Sequence, residues 1–442
     1  MGQNIKFKAT IFLLCFAFCI SCLAQSSINS VHEVQKGETL YSLSKLYNVS
    51  ISEILSVNPE LSERNKKLKK GYLLNIPRSV SSNQNETTAL APNKTFNLAV
   101  ILPFTANSAV SERVIEFYRG VLLATNAAKE AGYNVEISAF NEPAQKENME
   151  SVLGELQNAQ YDFIVGPLYP THFNELCLYA NQNKQRTIIP FSSKVAQINS
   201  NPYLYLLNTP SALGHQKAIK LFHSTFKPSR VIIIRTAKAD KQEFTNELMQ
   251  HLLSEKYEIQ TLPSTFFAED LKRVLTTKLN NVFVFDGSDW DETYKMLQTI
   301  ANFKSSNPNY KISTVGHNEW QNNAMENADI LHDTNAFIFA SDYYNAYNSA
   351  VIDFEETYKR WFNKYPIIYL PRMGELGYDC GLFMLNALAL HGDNFSDQEF
   401  NANYLQTNFK FEKVTSNGGY ANVSQMFIHY TQDSKIECIE LK

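Results

Sequence analysis

Asn97-Leu98-Ala99-Val100-Ile101-Leu102-Pro103 is an unbroken apolar run closed by a proline. A strand with one face in water alternates apolar and polar residues. A run that is apolar at nearly every position belongs to a strand buried on both faces, as in a parallel sheet. Such a strand needs helices over it, and the residues that follow supply one. Between 111 and 130, Val114, Phe117, Val121 and Leu122 fall on one helical face.

The pattern then repeats. Residues 135–140 read as a strand, 147–158 as a helix, 161–165 as a strand, a helix starts at Thr171, and 187–190 form a further strand. The alternation restarts at Val231-Ile232-Ile233-Ile234, with a helix near 241–254 and a strand near 257–261. Val282-Phe283-Val284-Phe285, Ile312-Ser313-Thr314-Val315 and Ala336-Phe337-Ile338-Phe339 follow, with helices between. Strand–helix alternation of this kind predicts an α/β fold with parallel sheets. The strands are too many for one sheet, so two lobes are expected across residues 96–442.

Upstream, residues 78–95 are rich in Ser, Asn, Gln and Thr and nearly free of large apolar side chains. They read as a flexible linker spanning about 25 Å as a coil. Before it, residues 31–77 form a small unit of their own. His32-Glu33-Val34-Gln35-Lys36-Gly37-Glu38-Thr39-Leu40 opens it and Leu68-Lys69-Lys70-Gly71-Tyr72-Leu73-Leu74-Asn75-Ile76-Pro77 closes it. Thr39 is a good N-cap, and Leu40, Leu43 and Leu46 follow at helical spacing. Ser50 caps a second helix carrying Ile51, Ile54 and Leu55. The order is strand, helix, helix, strand.

These residues resemble the LysM module from end to end. The resemblance implies a βααβ domain that binds N-acetylglucosamine-containing peptidoglycan in a shallow groove between two loops. On this chain the loops are Gly37, Glu38, Thr39 and Leu40, and Val57, Asn58, Pro59, Glu60 and Leu61. Backbone amides and carbonyls there would bind the acetamido group, and apolar side chains its methyl.

The first residues agree with an address outside the cytoplasm. Lys6 and Lys8 precede the apolar run 11–20, and Cys22-Leu23-Ala24 ends it, the layout of a signal peptide over residues 1–24. Two readings stay open: cleavage after Ala24, or a lipoprotein lipidated at Cys22. Removing the leader takes away two lysines and makes the net charge more negative than −4, which argues against a nucleic-acid partner. After it only Cys177, Cys380 and Cys438 remain, too few for a disulfide framework.

The large domain resembles the type I periplasmic binding fold of branched-chain amino acid and amide receptors. Leu102-Pro103-Phe104-Thr105, Val165-Gly166-Pro167-Leu168, Ile189-Pro190-Phe191-Ser192-Ser193 and Gly377-Tyr378-Asp379, the last read as preceding a helix at 380–390, carry the likeness. The resemblance implies a bilobed domain with two parallel-sheet lobes, closing on a small solute. Phe104, Gly166, Pro167, Ser192 and Ser193 would line the cleft from one lobe, and Asp286, Ser288, Asp342 and Tyr343 from the other. One departure stands out. The aromatic–Gly pair that amino-acid receptors carry is replaced by Arg235-Thr236-Ala237-Lys238-Ala239-Asp240-Lys241. Related domains also serve as regulators of peptidoglycan synthesis through protein contacts, which makes wall-synthesis proteins alternative partners.

An enzyme reading has one foothold. Asp379-Cys380-Gly381 resembles the nucleophile motif of cell-wall cysteine peptidases, with His429 as a base. The motif lacks its serine, and too little chain follows for that fold. His215, His223 and His251 lack metal-ligand spacing, and no phosphate loop appears. The sequence therefore predicts a non-enzymatic binding protein with no cofactor and no metal.

Overall fold

The computed structural model describes residues 28–35, 40, 43, 54–55, 57–58, 61, 70–77, 95–368, 370–392 and 404–440. The leader with Cys22, loop residues Gly37, Glu38, Thr39 and Pro59, and linker residues 78–94 lie outside them. The chain divides into two compact units, residues 1–87 and 88–442.

In the first unit β1 (Ile28–Glu33) pairs antiparallel with β2 (Leu73–Pro77), with Val31 opposite Asn75 and Glu33 opposite Leu73. Val34, Leu43, Ile54, Leu61, Leu74 and Ile76 make its small core. Asn58, expected in a sugar loop, is fully buried. Its Nδ2 donates to the carbonyls of Ile54 (2.6 Å) and Asn75 (2.7 Å), and its Oδ1 accepts from the Asn75 N–H (2.9 Å). The side chain thus ties the second helical segment to the closing strand. Leu61 is buried in the same core, while Leu40 and Val57 remain half-exposed.

The second unit contains two seven-stranded sheets. Lobe 1 is built from β3 (Thr95–Leu102), α1 (Ser108–Glu130), β4 (Asn134–Asn141), α2 (Glu150–Leu156), β5 (Phe163–Val165), α3 (Phe173–Gln182), β6 (Thr187–Ile189) and β7 (Leu204–Leu206). Lobe 2 follows with α4 (Ser211–Phe226), β8 (Ser229–Arg235), α5 (Gln242–Ser254), β9 (Glu258–Pro263), α6 (Ala268–Val274), β10 (Asn280–Phe285), α7 (Trp290–Ser306), β11 (Ile312–Gly316), α8 (Ala328–Asp333) and β12 (Ala336–Ala340). The chain returns to lobe 1 with α9 (Ser349–Phe362), α10 (Met373–His391), β13 (Phe411–Lys413) and β14 (Tyr420–Asn422). It ends in lobe 2 with β15 (Met426–Tyr430) and β16 (Ile436–Glu440).

Strand order is β13-β14-β7-β6-β5-β3-β4 in lobe 1 and β16-β15-β12-β11-β10-β8-β9 in lobe 2. The expectation of purely parallel sheets needs correction. β13 is antiparallel to β14, and β15 and β16 are added antiparallel beside β12. These strands come from the last part of the chain, which turns back by short connections and builds no crossover helices.

The apolar run in β3 behaves as its composition requires. Phe96, Leu98, Val100 and Leu102 enter the core under α1 and α10, while Ala99 and Ile101 enter the core under α2 and α3. In lobe 2, Phe283 and Phe285 pack on one face of β10 and Val282 and Val284 on the other. Among the described residues no helix is long and apolar enough to cross a membrane.

A second correction concerns Gly377-Tyr378-Asp379. The motif does not precede a helix; it lies inside α10. Its glycine is a packing device. A Cβ on Gly377 would lie 1.9 Å from the Phe117 carbonyl oxygen on α1, and one on Gly120 1.9 Å from the Gly374 carbonyl oxygen. The two helix backbones therefore touch, with no side chain between them. A methyl there meets backbone, which no rotamer change relieves. Gly377→Ala should thus lower stability by roughly 1–3 kcal/mol despite the better helix propensity of alanine. Gly154→Ala on α2, where the new atom meets nothing within 4 Å, should raise stability by about 0.5–1 kcal/mol. Urea unfolding midpoints check both; an unchanged midpoint for Gly377→Ala would refute the contact.

Candidate functional site

In each lobe the parallel strands run in the order second, first, third, fourth, fifth, so chain direction reverses beside the first strand. Ligands in open α/β sheets bind outside the C-terminal strand ends near such a reversal. Residues after β3, β5, β6 and β7 define that edge in lobe 1, and residues after β8, β10 and β12 in lobe 2.

Lobe 1 holds a cavity of about 370 Å³ at this edge. Leu168, Pro190, Phe191 and Asn208, from the loops after β5, β6 and β7, form its base. Val110, Arg113 and Val114 of α1 form one wall; Pro371, Met373 and Leu376 at the start of α10 form the other. The lining is mainly apolar. Arg113 is exposed and has no hydrogen bond or ion pair among the described residues.

The predicted residues of lobe 1 surround this cavity without lining it. Phe104 packs edge-on against Tyr118, and Phe117 against the lining ring of Phe191 at 4.9 Å. Gly166 has φ +129°, and a Cβ on it would lie 2.1 Å from the Ile101 carbonyl oxygen, so the turn requires glycine. Pro167 follows through a cis peptide bond. The Ser192 hydroxyl accepts from the Lys194 N–H (3.0 Å), and Ser193 is half-buried beside it.

Glu142, after β4, fixes the loop that presents Leu168. Its carboxylate accepts from the N–H groups of Leu168 (2.7 Å) and Tyr169 (2.9 Å) and meets His172 Nδ1 at 2.7 Å. His172 Nε2 lies 3.1 Å from the Glu147 carbonyl, which only accepts. Burial pushes Glu142 above the usual carboxyl range, against the pull of its hydrogen bonds.

In lobe 2 the predicted acids face inward. Asp286 is 1% exposed. It accepts from the Thr236 N–H (2.7 Å), the Thr236 hydroxyl (2.8 Å) and Arg235 Nη1 (3.1 Å), which closes the chain reversal between β8 and β10. Ser288 donates through N–H and hydroxyl to Asp240. Asp342 is buried, accepts from the Ser341 hydroxyl, and is raised by desolvation. Tyr343 packs on the lobe 2 core, its phenol pushed up to about 12 by burial.

Three connections join the lobes: residues 207–210, 341–348 and 423–425. A buried polar cluster lies against the second. Asp379 accepts from the N–H groups of Leu405 (2.6 Å), Gln406 (3.0 Å) and Thr407 (2.9 Å), and the Gln406 carbonyl accepts from Tyr343 N–H (2.8 Å). Arg372 pairs with Glu355 (3.0 Å) and Glu375 (3.3 Å) and lies over the Tyr344 ring at 3.4 Å. The Tyr344 hydroxyl donates to Glu355 (2.6 Å). One guanidinium thus serves two acids. Glu375 Oε2 has no partner among the described residues. Burial pushes Glu375 up to about 7, only partly offset by Arg372. Burial also raises Asp379 to about 7, against its three N–H donors.

The cysteine-peptidase reading fails on geometry. Cys380 is fully buried in the lobe 1 core and its thiol is pushed up by desolvation, the opposite of an activated thiolate. His429, on β15 in lobe 2, stacks on Phe337 and bonds Asn335. Among the described residues no group of three or more His, Cys, Asp or Glu is placed to hold a metal ion. Arg113, Asn208 and the start of α10 were not foreseen from sequence. Asn208 follows a strand of only three residues, and Gly374 and Gly377 disguised the helix.

Comparison with known proteins agrees with both units. Residues 32–77 match the LysM domain family, so the first unit is a LysM domain. No curated protein sequence matches the chain. Among solved structures, a branched-chain amino acid ABC transporter protein from Rhodospirillum rubrum superposes with TM-score 0.56 at 10% identity, covering 78% of this chain and 100% of its own. A branched chain amino acid ABC transporter periplasmic ligand-binding protein from Burkholderia xenovorans LB400 gives 0.47 at 10% identity, covering 78% and 94%. At such identity the likeness shows the fold alone: the second unit has a periplasmic-binding-protein-like architecture. The solved structures are described as transport and ligand-binding proteins, not as enzymes.

The Glu375 environment gives a pH prediction with a definite sign. A buried acid raised from about 4.3 to about 7 makes the folded state bind more protons than the unfolded one between those values. Its stabilising contribution is complete below about 4.3 and is lost as pH rises through about 7, a span worth about 4 kcal/mol. Urea stability should fall between pH 5 and 8, and Glu375→Gln should flatten that fall. An equal slope in the variant would remove Glu375 as its source.

Proposed function

We propose that this is an extracytoplasmic, wall-associated binding protein. Its LysM domain binds N-acetylglucosamine-containing peptidoglycan, and its bilobed domain closes on a small solute. The observation that carries the second half is the mainly apolar cavity of about 370 Å³ at the C-terminal strand edge of lobe 1. Its size is in the range of small-molecule pockets, and it stands where α/β sheets hold ligands. The leader read at residues 1–24 supports export, by cleavage after Ala24 or lipidation at Cys22. In the LysM domain Leu40 and Val57 are the described loop residues with exposed surface. Gly37, Glu38, Thr39 and Pro59 complete the proposed groove, with Asn58 and Leu61 supporting it from below.

A second reading, a regulator or scaffold of peptidoglycan synthesis, draws support from a different surface. Tyr347, Ile352, Trp361, Tyr365 and Ile368, all on or beside α9, are exposed. Apolar side chains concentrated in one stretch of chain suit a protein partner.

Two measurements test these readings. The full chain should co-sediment with purified peptidoglycan and lose most of that binding when residues 31–77 are deleted; undiminished sedimentation would sink the anchor. A thermal-shift screen of the full chain against amino acids, amides, organic acids, sugars and muropeptides should yield a stabilising ligand, with about 2.7 kcal/mol expected at a hundredfold excess over Kd. No stabilisation by any class would leave the regulator reading in its place.

A further inference from the structure

We infer that the cleft selects an apolar molecule bearing one anionic group and no amino group, and that Arg113 reads the charge. This rests on the cleft being a ligand site and adds the chemistry of what enters it.

The apolar part follows from the cavity. Val110, Val114, Leu168, Phe191, Met373 and Leu376 present hydrocarbon or sulfur to its interior. Each methylene of a ligand buried there leaves water for an apolar surface and adds to affinity.

The anionic part follows from what borders that hydrocarbon. Arg113 is the one charged residue of the lining, and it lacks a partner among the described residues. Arg235, Lys241 and Arg372 are instead engaged, Arg235 with Asp286, Lys241 with Glu319, and Arg372 with Glu355 and Glu375. The opposite wall adds to the same field. α10 begins there without a side-chain cap, so the positive end of a 19-residue helix meets the same cavity. A carboxylate between Arg113 and that helix end has a cation and a helix dipole to answer it, with the Asn208 side-chain amide also in the lining.

The missing amino group follows from lobe 2. An α-amino acid brings an ammonium as well, and a cleft that excludes water must answer it with a carboxylate. The acids at the lobe 2 strand ends are already answered. Asp286 holds Thr236 and Arg235, Asp240 holds Ser288, and Asp342 is buried against Ser341. The carboxylates of lobe 1 near the cavity are likewise engaged, Glu142 with Leu168, Tyr169 and His172, and Glu116 with Tyr358 and Lys364, while Glu375 is fully buried outside the lining and paired through Oε1 with Arg372. An ammonium in this cleft would lose its water and gain no counter-charge.

The test compares matched skeletons by calorimetry on the full chain: 4-methylpentanoate with leucine, 3-phenylpropanoate with phenylalanine, and the neutral 4-methylpentanamide. The acids should bind at least ten times more tightly than the amino acids and the amide. Arg113→Gln should weaken the acids at least tenfold while leaving the thermal midpoint of the free protein unchanged, since Arg113 forms no contact that holds the fold. Amino acids binding as tightly as the acids, or acids indifferent to Arg113→Gln, would overturn the inference. Tight amide binding that ignores Arg113→Gln overturns it while leaving the cleft a receptor site. No binding by any of the five overturns it too, and a thermal-shift screen then also empty removes the receptor reading itself.

Discussion

The backbone-to-backbone contact between α1 and α10 is the constraint on which the rest of the large domain depends. Gly377 against the Phe117 carbonyl and Gly120 against the Gly374 carbonyl bring two long helices closer than any side chain between them would permit. Gly381 repeats the theme beside Ala124. That closeness sets the distance between Val114 on one helix and Leu376 on the other, and so the width of the cavity. It also places Asp379, one residue after Tyr378, against the backbone of residues 405–407. A single crossing therefore fixes both the binding surface and one support of the hinge.

The hinge cluster adds an opposing force. Glu355 and Glu375 share the Arg372 guanidinium while Asp379 is answered only by backbone N–H groups, so burial raises Glu375 and Asp379 toward taking up a proton. Breaking such a network is costly, and keeping it is not especially stabilising. Its effect is directional. The Gln406 carbonyl holds Tyr343, and Arg372 stacks on Tyr344, so the second connection between the lobes is held by groups whose charge depends on pH. The first and third connections, residues 207–210 and 423–425, touch no comparable cluster among the described residues.

The sequence displayed the layers of this fold well. Runs such as 97–103, 231–234 and 282–285 are apolar at almost every position because both faces of those strands are covered, and burial on two faces leaves no alternation to misread. Elements that rely on partners were hidden. β7, β13 and β14 have three residues each, too short for any period to register. α10 was read as starting at Cys380 because glycine is a poor helix former in isolation, and only the facing backbone of α1 explains Gly374 and Gly377. The site residues divide the same way. Strand-end loops are placed by chain direction alone, so Phe104, Gly166 and Ser192 lie at the C-terminal strand edge of lobe 1. Whether a side chain faces the cleft or turns inward depends on neighbours far along the chain. Asp286, expected to line the cleft, is instead held by Thr236 and Arg235, about fifty residues earlier.

That last displacement carries the functional argument furthest. The segment Arg235-Thr236-Ala237-Lys238 stands where amino-acid receptors are expected to carry an aromatic–Gly pair, and it does more than omit a contact. Arg235 and Thr236 reach across the chain reversal and take up the carboxylate at the end of β10. The same substitution that removes a platform for the ligand thus removes its counter-ion. Lobe 1, by contrast, keeps Arg113 beside hydrocarbon with no ionic partner among the described residues. Selectivity in this cleft is therefore one-sided. Lobe 1 supplies both the apolar bed and the charge, and lobe 2 presents a surface whose ionic groups already answer one another. In the proposed receptor, closure of lobe 2 would act mainly by excluding water, which strengthens the single charge contact made below it.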